Sequence, residues 1–125
     1  MSAQTQQKGL ARMTTALIAL SWWLQWGTGT GATSSANVVT TTTTTEARSA
    51  ATAAQTTTTS TNDTMQLTGT ITAAGSRAIT EVGAFDAVGT GSPPTGGNMD
   101  LYGSFSVINL NNGDSIAFTI NVTYT

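Results

Sequence analysis

The feature that most constrains the fold is a strict alternation of apolar and small residues near the C-terminal end. From residue 116 to residue 125, Ile, Phe, Ile, Val and Tyr alternate with Ala, Thr, Asn, Thr and Thr. Successive side chains of a β-strand point to opposite faces, so a period of two predicts a strand with one buried face. A helix would need a different spacing of its apolar residues.

The same reasoning extends this prediction over most of the chain. Residues 65–72 and 99–107 alternate in the same way, and residues 22–26, 48–59 and 78–85 are also predicted strands. Polar turns are predicted at residues 60–63, 89–97 and 111–114. Short strands separated by polar turns predict an all-β fold, namely an antiparallel β-sandwich with a jelly-roll-like arrangement.

The N-terminal 21 residues are predicted to form a polar arm and a short helix that precede a β-sandwich domain at residues 22–125. Leu10, Met13, Leu17 and Leu20 fall at helical spacing. The apolar residues 13–26 are too few and too interrupted to span a bilayer. Lys8 and Arg12 before an apolar run also fit a secretory signal peptide, which is the second interpretation of this segment.

A Thr-rich connection occupies residues 32–60, with Thr runs at 40–45 and 56–59. Few large apolar groups are present, so the composition fits disorder. It also fits extended chain, since consecutive β-branched residues disfavour a helix. We expect residues 40–46 to connect two strands, and residues 27–31, GTGTG, to form a turn rather than a phosphate-binding loop.

Charge is scarce, which excludes several classes of partner. Only 8% of residues are charged and the net charge is −2, whereas about 25% is usual for soluble proteins. The basic residues Lys8, Arg12, Arg48 and Arg77 are scattered. We therefore predict no binding to nucleic acid or to a membrane. Thr makes up more than a fifth of the chain, and such a neutral surface predicts a homo-oligomer, of which a trimer is one form.

The residue types present leave little room for catalysis. The chain has no Cys and no His, so disulfides, thiolate or imidazole metal ligands and Ser-His-Asp or Cys-His catalysis are impossible. Glu81 and Asp86 lie five apart on one predicted strand and should face opposite sides. We expect Glu81 to be a buried carboxylate held by Arg48, by Arg77 or by a neighbouring subunit. The sequence predicts no enzyme, no cofactor and no metal.

Three tryptophans, Trp22, Trp23 and Trp26, stand close together after the apolar helix. Exposed aromatic rings often form platforms for carbohydrates, and buried ones form a core or a subunit interface. The neighbouring apolar residues favour burial.

Several segments resemble small structural proteins of tailed bacteriophages. They are ITEVGAFDA at 79–87, GGNM at 96–99, FSVINLNNGDSIAFTI at 105–120, WGTGTGA at 26–32 and NDT at 62–64. The resemblance covers about residues 22–125 and consists of strands and turns without catalytic residues. It implies a virion part, and two roles compete: a capsid cement or decoration protein, and a tail-fibre or collar component that reads host glycans. A secreted carbohydrate-binding module is a third possibility from another class.

We expect the cement role, in which the chain binds the major capsid protein on the outer capsid surface and stabilises the shell between capsomers. Many copies, each bridging two sites, would add small contacts into a large effect. Some residues have no obvious role in a compact sandwich, so we predict that they contact the capsid or a second subunit: Lys8, Leu10, Arg12, Met13, Trp22, Trp23 and Trp26.

Overall fold

A computed structural model describes residues 1–29 and 44–125. Within these residues the elements are α1 (Gln7–Ile18), β1 (Trp22–Gly27), β2 (Ser49–Thr56), β3 (Thr64–Thr72), β4 (Arg77–Phe85), β5 (Met99–Leu110) and β6 (Ser115–Thr123). The predicted all-β class with a short N-terminal helix is confirmed. Residues 32–43 of the Thr-rich connection and residues 30 and 31 of the predicted turn at 27–31 lie outside the described residues.

The described strands form one antiparallel sheet in the order β5-β4-β1-β2-β3-β6. Strands β3 and β6 pair at nine positions, whereas β1 and β2 pair at only three. Although β5 and β6 stand at opposite ends of this order, the rings of Phe105 and Phe118 lie 6.1 Å apart, centroid to centroid. The sheet therefore curls almost into a barrel, and the jelly-roll-like detail is not confirmed by this order.

Strand β1 forms the centre of the core. It lies between β2 and β4, and all its residues except Trp23 are buried. Strands β3 and β4 supply Met65, Leu67 and Ile79, each with no exposed surface, and β5 and β6 add Leu110 and Phe118. A Cβ atom at Gly69 would lie 2.9 Å from Leu24 Cδ1. Glycine at this position lets β3 approach β1 closely enough to fill the barrel.

Helix α1 packs beside the turn between β2 and β3. Leu10 and Thr14 are buried, while Leu17 and Ile18 lie against the core. Met13 and Leu20 belonged to the predicted apolar series, but they are 41% and 57% exposed. Thr14 is buried instead, and its hydroxyl donates to the carbonyl oxygen of Asn62 at 2.6 Å. Docking of α1 is therefore partly polar.

Candidate functional site

The seven predicted contact residues do not share one surface. Leu10, Trp22 and Trp26 are only 6%, 5% and 1% exposed, and Trp23 is half-buried. Lys8, Arg12 and Met13 are exposed on α1. Two of the three tryptophans thus belong to the chain's own core, as the neighbouring apolar residues led us to expect. Only the exposed residues of this set, together with Trp23, are accessible to a partner.

Each buried indole N–H has a partner within the chain. Trp22 Nε1 donates to the carbonyl oxygen of Leu17 at 2.9 Å, which ties the end of α1 to β1. Trp26 Nε1 donates to Thr44 Oγ1 at 2.8 Å, and its ring meets Phe118 edge to face. Buried tryptophans need such a partner, so Trp22 and Trp26 act as structural anchors rather than as a ligand platform.

Arg48 clamps the loop between β4 and β5 onto β1. Its Nε donates to Gln25 Oε1 at 2.8 Å, and Nη1 donates to the carbonyl oxygens of Ala87 and Gly96 at 2.9 Å each. The guanidinium lies 3.7 Å from the centre of the Phe85 ring. Burial lowers the pKa of Arg48, and nearby Asp86 acts in the opposite direction. The planar group suits this combination of stacking and hydrogen bonds.

A second buried charge, Glu46, sits beneath Trp26. Glu46 Oε1 accepts from Arg77 Nε and from the backbone N–H of Ala74, both at 2.9 Å. Burial acts to raise the pKa of Glu46. Hydrogen bonds from Thr44, from the backbone of Ala74, from its own backbone and from Trp26 outweigh burial and lower that pKa to about 2.

These contacts correct the expectation that Arg48 or Arg77 holds Glu81, and the third expected holder, a neighbouring subunit, stays a prediction. Glu81 is fully buried, as expected, and its Oε2 accepts a hydrogen bond from the hydroxyl of Tyr102 at 2.8 Å. Arg48 donates instead to Gln25 of β1, and Arg77 pairs with Glu46. Tyr102 reaches Glu81 because Ser104, two residues further along β5, pairs with Glu81. No local pattern predicts this diagonal contact.

The other candidate carboxylates have structural partners as well. Asp86 is exposed and accepts from the backbone and side-chain N–H groups of Asn98 at 2.7 and 3.0 Å. Asp63 was predicted as an ordinary turn residue, and it does lie in the turn, but it is fully buried. Backbone N–H groups of Ser60, Thr58 and Thr59 donate to it and hold its pKa far below the usual range.

One face of the sheet carries no ionisable side chain. It is the side of β2, β3 and β6 turned away from the core, here called the Thr-rich face: Ala50, Thr52, Ala54, Gln66, Thr68, Thr70, Thr72, Ser115, Ala117, Thr119, Asn121 and Thr123. Eleven of the twelve are exposed, and Gln66 is half-buried. Hydroxyl and amide groups bond across the strands, as in Thr72 with Ser115 at 2.6 Å and Gln66 with Asn121 at 3.1 Å.

A cleft lies between β5 and β6, the two edge strands of the sheet. Its volume is about 170 Å³. The lining is largely apolar and comes from β4, β5 and β6: Val82, Leu101, Tyr102, Gly103, Ile120, Asn121 and Val122. The cleft therefore runs along the side of β6 with which no described strand pairs.

Over residues 1–29 and 44–125, no group of three acidic residues is placed to hold a metal ion. Within the same ranges no helix is long and apolar enough to cross a membrane. Comparisons with models of protein families, with curated proteins and with solved structures found no match to this chain.

Proposed function

We propose that this chain is a virion structural protein, a cement or decoration protein that binds the major capsid protein on the outer shell between capsomers. The observation that carries the proposal is the Thr-rich face, which presents twelve neutral residues on three strands. Exposed surfaces of soluble proteins usually mix both signs of charge. A face without charge can be covered by a partner at no cost for burying unpaired ions.

The polar character of this face suits contacts repeated many times. Hydroxyl groups exchange water for a partner's polar groups with little net energy per contact. A protein that bridges two sites gains from high effective concentration, so weak contacts suffice when each copy holds two capsomers. This is the physical basis on which a small chain without catalytic groups would stabilise a shell.

Helix α1 supplies a second contact in this proposal. Lys8 and Arg12 lie one turn apart, and both are exposed, as is Met13. Two cations beside a flexible apolar side chain are suited to an acidic and apolar partner surface. Trp22 and Leu10 fix the helix to the domain, so this contact would be held in a defined position.

The cleft supports a second candidate, a tail-fibre or collar component that binds a glycan. Tyr102 gives the cleft an aromatic lining residue, and Asn121 contributes an amide. Aromatic and amide groups are typical of sugar-binding sites. The small volume of the cleft would accept part of one sugar ring, which makes this candidate weaker than the cement role.

Stoichiometry in purified particles tests the proposal first. A copy number comparable to that of the major shell protein, measured by quantitative mass spectrometry, is the expected result. A few copies per particle would indicate the tail or collar, and absence from particles would exclude both virion roles.

A variant then tests the α1 contact. Replacing Lys8, Arg12 and Met13 together with Ala should weaken binding to shells that lack the protein. Val88→Ala with Thr90→Ala, on the exposed loop between β4 and β5, is the matched control. Equal binding by both variants, with folding unchanged, would remove α1 from the proposed contact.

A further inference from the structure

The two edges of the sheet are protected very differently. An edge strand exposes unpaired N–H and C=O groups, and proteins usually protect it with charge, proline, glycine or bulges. Strand β5 has such protection, because its pairing with β4 is interrupted by two bulges. Between Ile79 and Glu81, one residue of β4 lies opposite three residues of β5, and near the start of β5 Asp100 has no pairing partner on β4. These bulges break the ladder that another strand would need.

Strand β6 has none of these protections. It pairs with β3 at nine consecutive positions without a break, and no described strand pairs with its other side. Its sequence, SIAFTINVT, contains no charge, no proline and no glycine. Such a segment has high β-propensity and offers a regular ladder to another chain.

The cleft gives a second reason for a strand to add at this edge. Ile120 and Val122 of β6 line it, and both are only half-buried. A strand placed beside β6 would cover these two side chains with its own inward-facing residues. Pairing at the edge and burial of the apolar lining would therefore occur together.

The sequence of β6 is complementary to itself. When two copies run antiparallel about Thr119, that residue meets its counterpart, Phe118 meets Ile120, and Ile116 meets Val122. On the outer face Ser115 meets Thr123 and Ala117 meets Asn121. Apolar residues thus face apolar residues across the whole strand, and neutral ones face neutral ones, which are favourable cross-strand pairs. A two-fold interface requires this kind of self-complementarity.

We infer that β6 pairs antiparallel with β6 of a second copy of this chain, about a two-fold axis at Thr119, and so joins the six described strands of each copy into one continuous sheet. This inference does not depend on the virion role.

Charge substitutions at the axis test it. Thr119→Lys and Thr119→Glu each place like charges directly opposite one another in the dimer, and each should raise the dimer dissociation constant about two- to fivefold. An equimolar mixture of the two variants should recover the dimer, because opposite charges then meet. Sedimentation equilibrium of the full chain measures the dimer dissociation constant for each variant and for the mixture. Thr68→Lys is the matched control. Thr68 lies on β3, pairs with Thr119 and is exposed on the same face as Thr119, but it is one strand further from the axis.

A cross-link keeps the test decisive if the charged variants unfold. The chain has no cysteine, so Thr119→Cys introduces a unique thiol that lies opposite its own copy. Mild oxidation should give a disulfide-linked dimer, because directly opposed residues lie within reach of a disulfide. Thr68→Cys should give far less. A wild-type chain that stays monomeric, a trimer, a Thr119→Lys dimer of unchanged strength, or equal cross-linking at both positions would each overturn the inference.

Discussion

Glu46 shows how a chain with few charges uses one of them inside its core. The carboxylate is 9% exposed and joins the loop before β2 to the turn before β4 through Ala74 and Arg77. Its pKa is lowered to about 2 by hydrogen bonds that outweigh burial. A group whose pKa is lower in the folded chain stabilises the fold above its unfolded pKa, and this stabilisation is lost as the pH falls.

Glu46→Gln should therefore destabilise the fold near neutral pH and have little effect near pH 2. The expected loss is about 2 kcal/mol or less after solvent screening. It should shrink as the pH falls from about 4.5 toward about 2, the interval between the ordinary and the lowered pKa. Urea unfolding of both proteins across this interval measures the difference.

Asp100→Asn is the control of opposite sign, because burial and the nearby Asp86 raise the pKa of Asp100. Its carboxylate costs stability as the pH rises, so the amide should be neutral or stabilising near neutral pH. A difference for Glu46→Gln that does not change with pH would contradict the assignment.

Arg48 should not tolerate replacement by lysine. A lysine keeps the charge but cannot stack on Phe85 while donating to Gln25, Ala87 and Gly96. We expect Arg48→Lys to lose about 2–4 kcal/mol of unfolding free energy. Chemical denaturation measures it, with exposed Arg12→Lys as the control that should change stability by less than about 0.5 kcal/mol. Equal effects at both positions would show that Arg48 is no clamp.

These residue contacts were beyond sequence reasoning for a definite reason. Glu46 and Arg77 are 31 positions apart, and Arg48 and Gln25 are 23 positions apart. Hydropathy periods report which face a residue occupies, not which distant residue shares its site. For this reason the expectation that Arg48 or Arg77 holds Glu81 was wrong, although the burial of Glu81 was correctly inferred from the apolar neighbours Ile79, Val82 and Phe85.

At the scale of elements, alternation predicted most of the sheet. Strand β3 is found within one residue of its predicted bounds and β6 within two, because one buried face imposes a period of two. Strand β5 runs three residues beyond its predicted end, where its bulges and its exposed Val107 and Ile108 break the pattern. The buried place of Thr14 in α1 was not predictable either, since its partner is a backbone carbonyl.

Helix α1 should open before the sheet does. Gln55 Nε2 lies 2.7–2.8 Å from the carbonyl oxygen of Ala11 and from the hydroxyl oxygens of Thr14 and Thr15. Leu10 is the only buried apolar residue of the helix. Few apolar contacts mean a low local stability. Hydrogen exchange should show α1 amides exchanging faster than those of β3, and Gln55→Ala should widen that gap. Gln66→Ala, on the Thr-rich face, should leave it unchanged. Uniform exchange would contradict this prediction.

At the scale of the whole molecule, the scarcity of charge governs how copies meet. With a net charge of −2 and 8% charged residues, long-range electrostatics contribute little to association. We expect any self-association of the chain to change less than about threefold between about 0.05 and about 0.5 M salt. Sedimentation at both salt concentrations tests this, and a steep salt dependence would show that the few ions, rather than the neutral surface, hold the copies together.

The position of β1 also determines when the chain can fold. The first strand along the chain occupies the middle of the sheet, and Trp26 meets Phe118, which belongs to the last strand. During synthesis on a ribosome, the apolar side chains of β1 therefore stay exposed until β2 and β4 have emerged. The curled sheet is complete only after β6 has been synthesised. Such contacts between distant parts of the chain slow folding. The nascent chain thus passes through a period in which chaperones can bind it at β1.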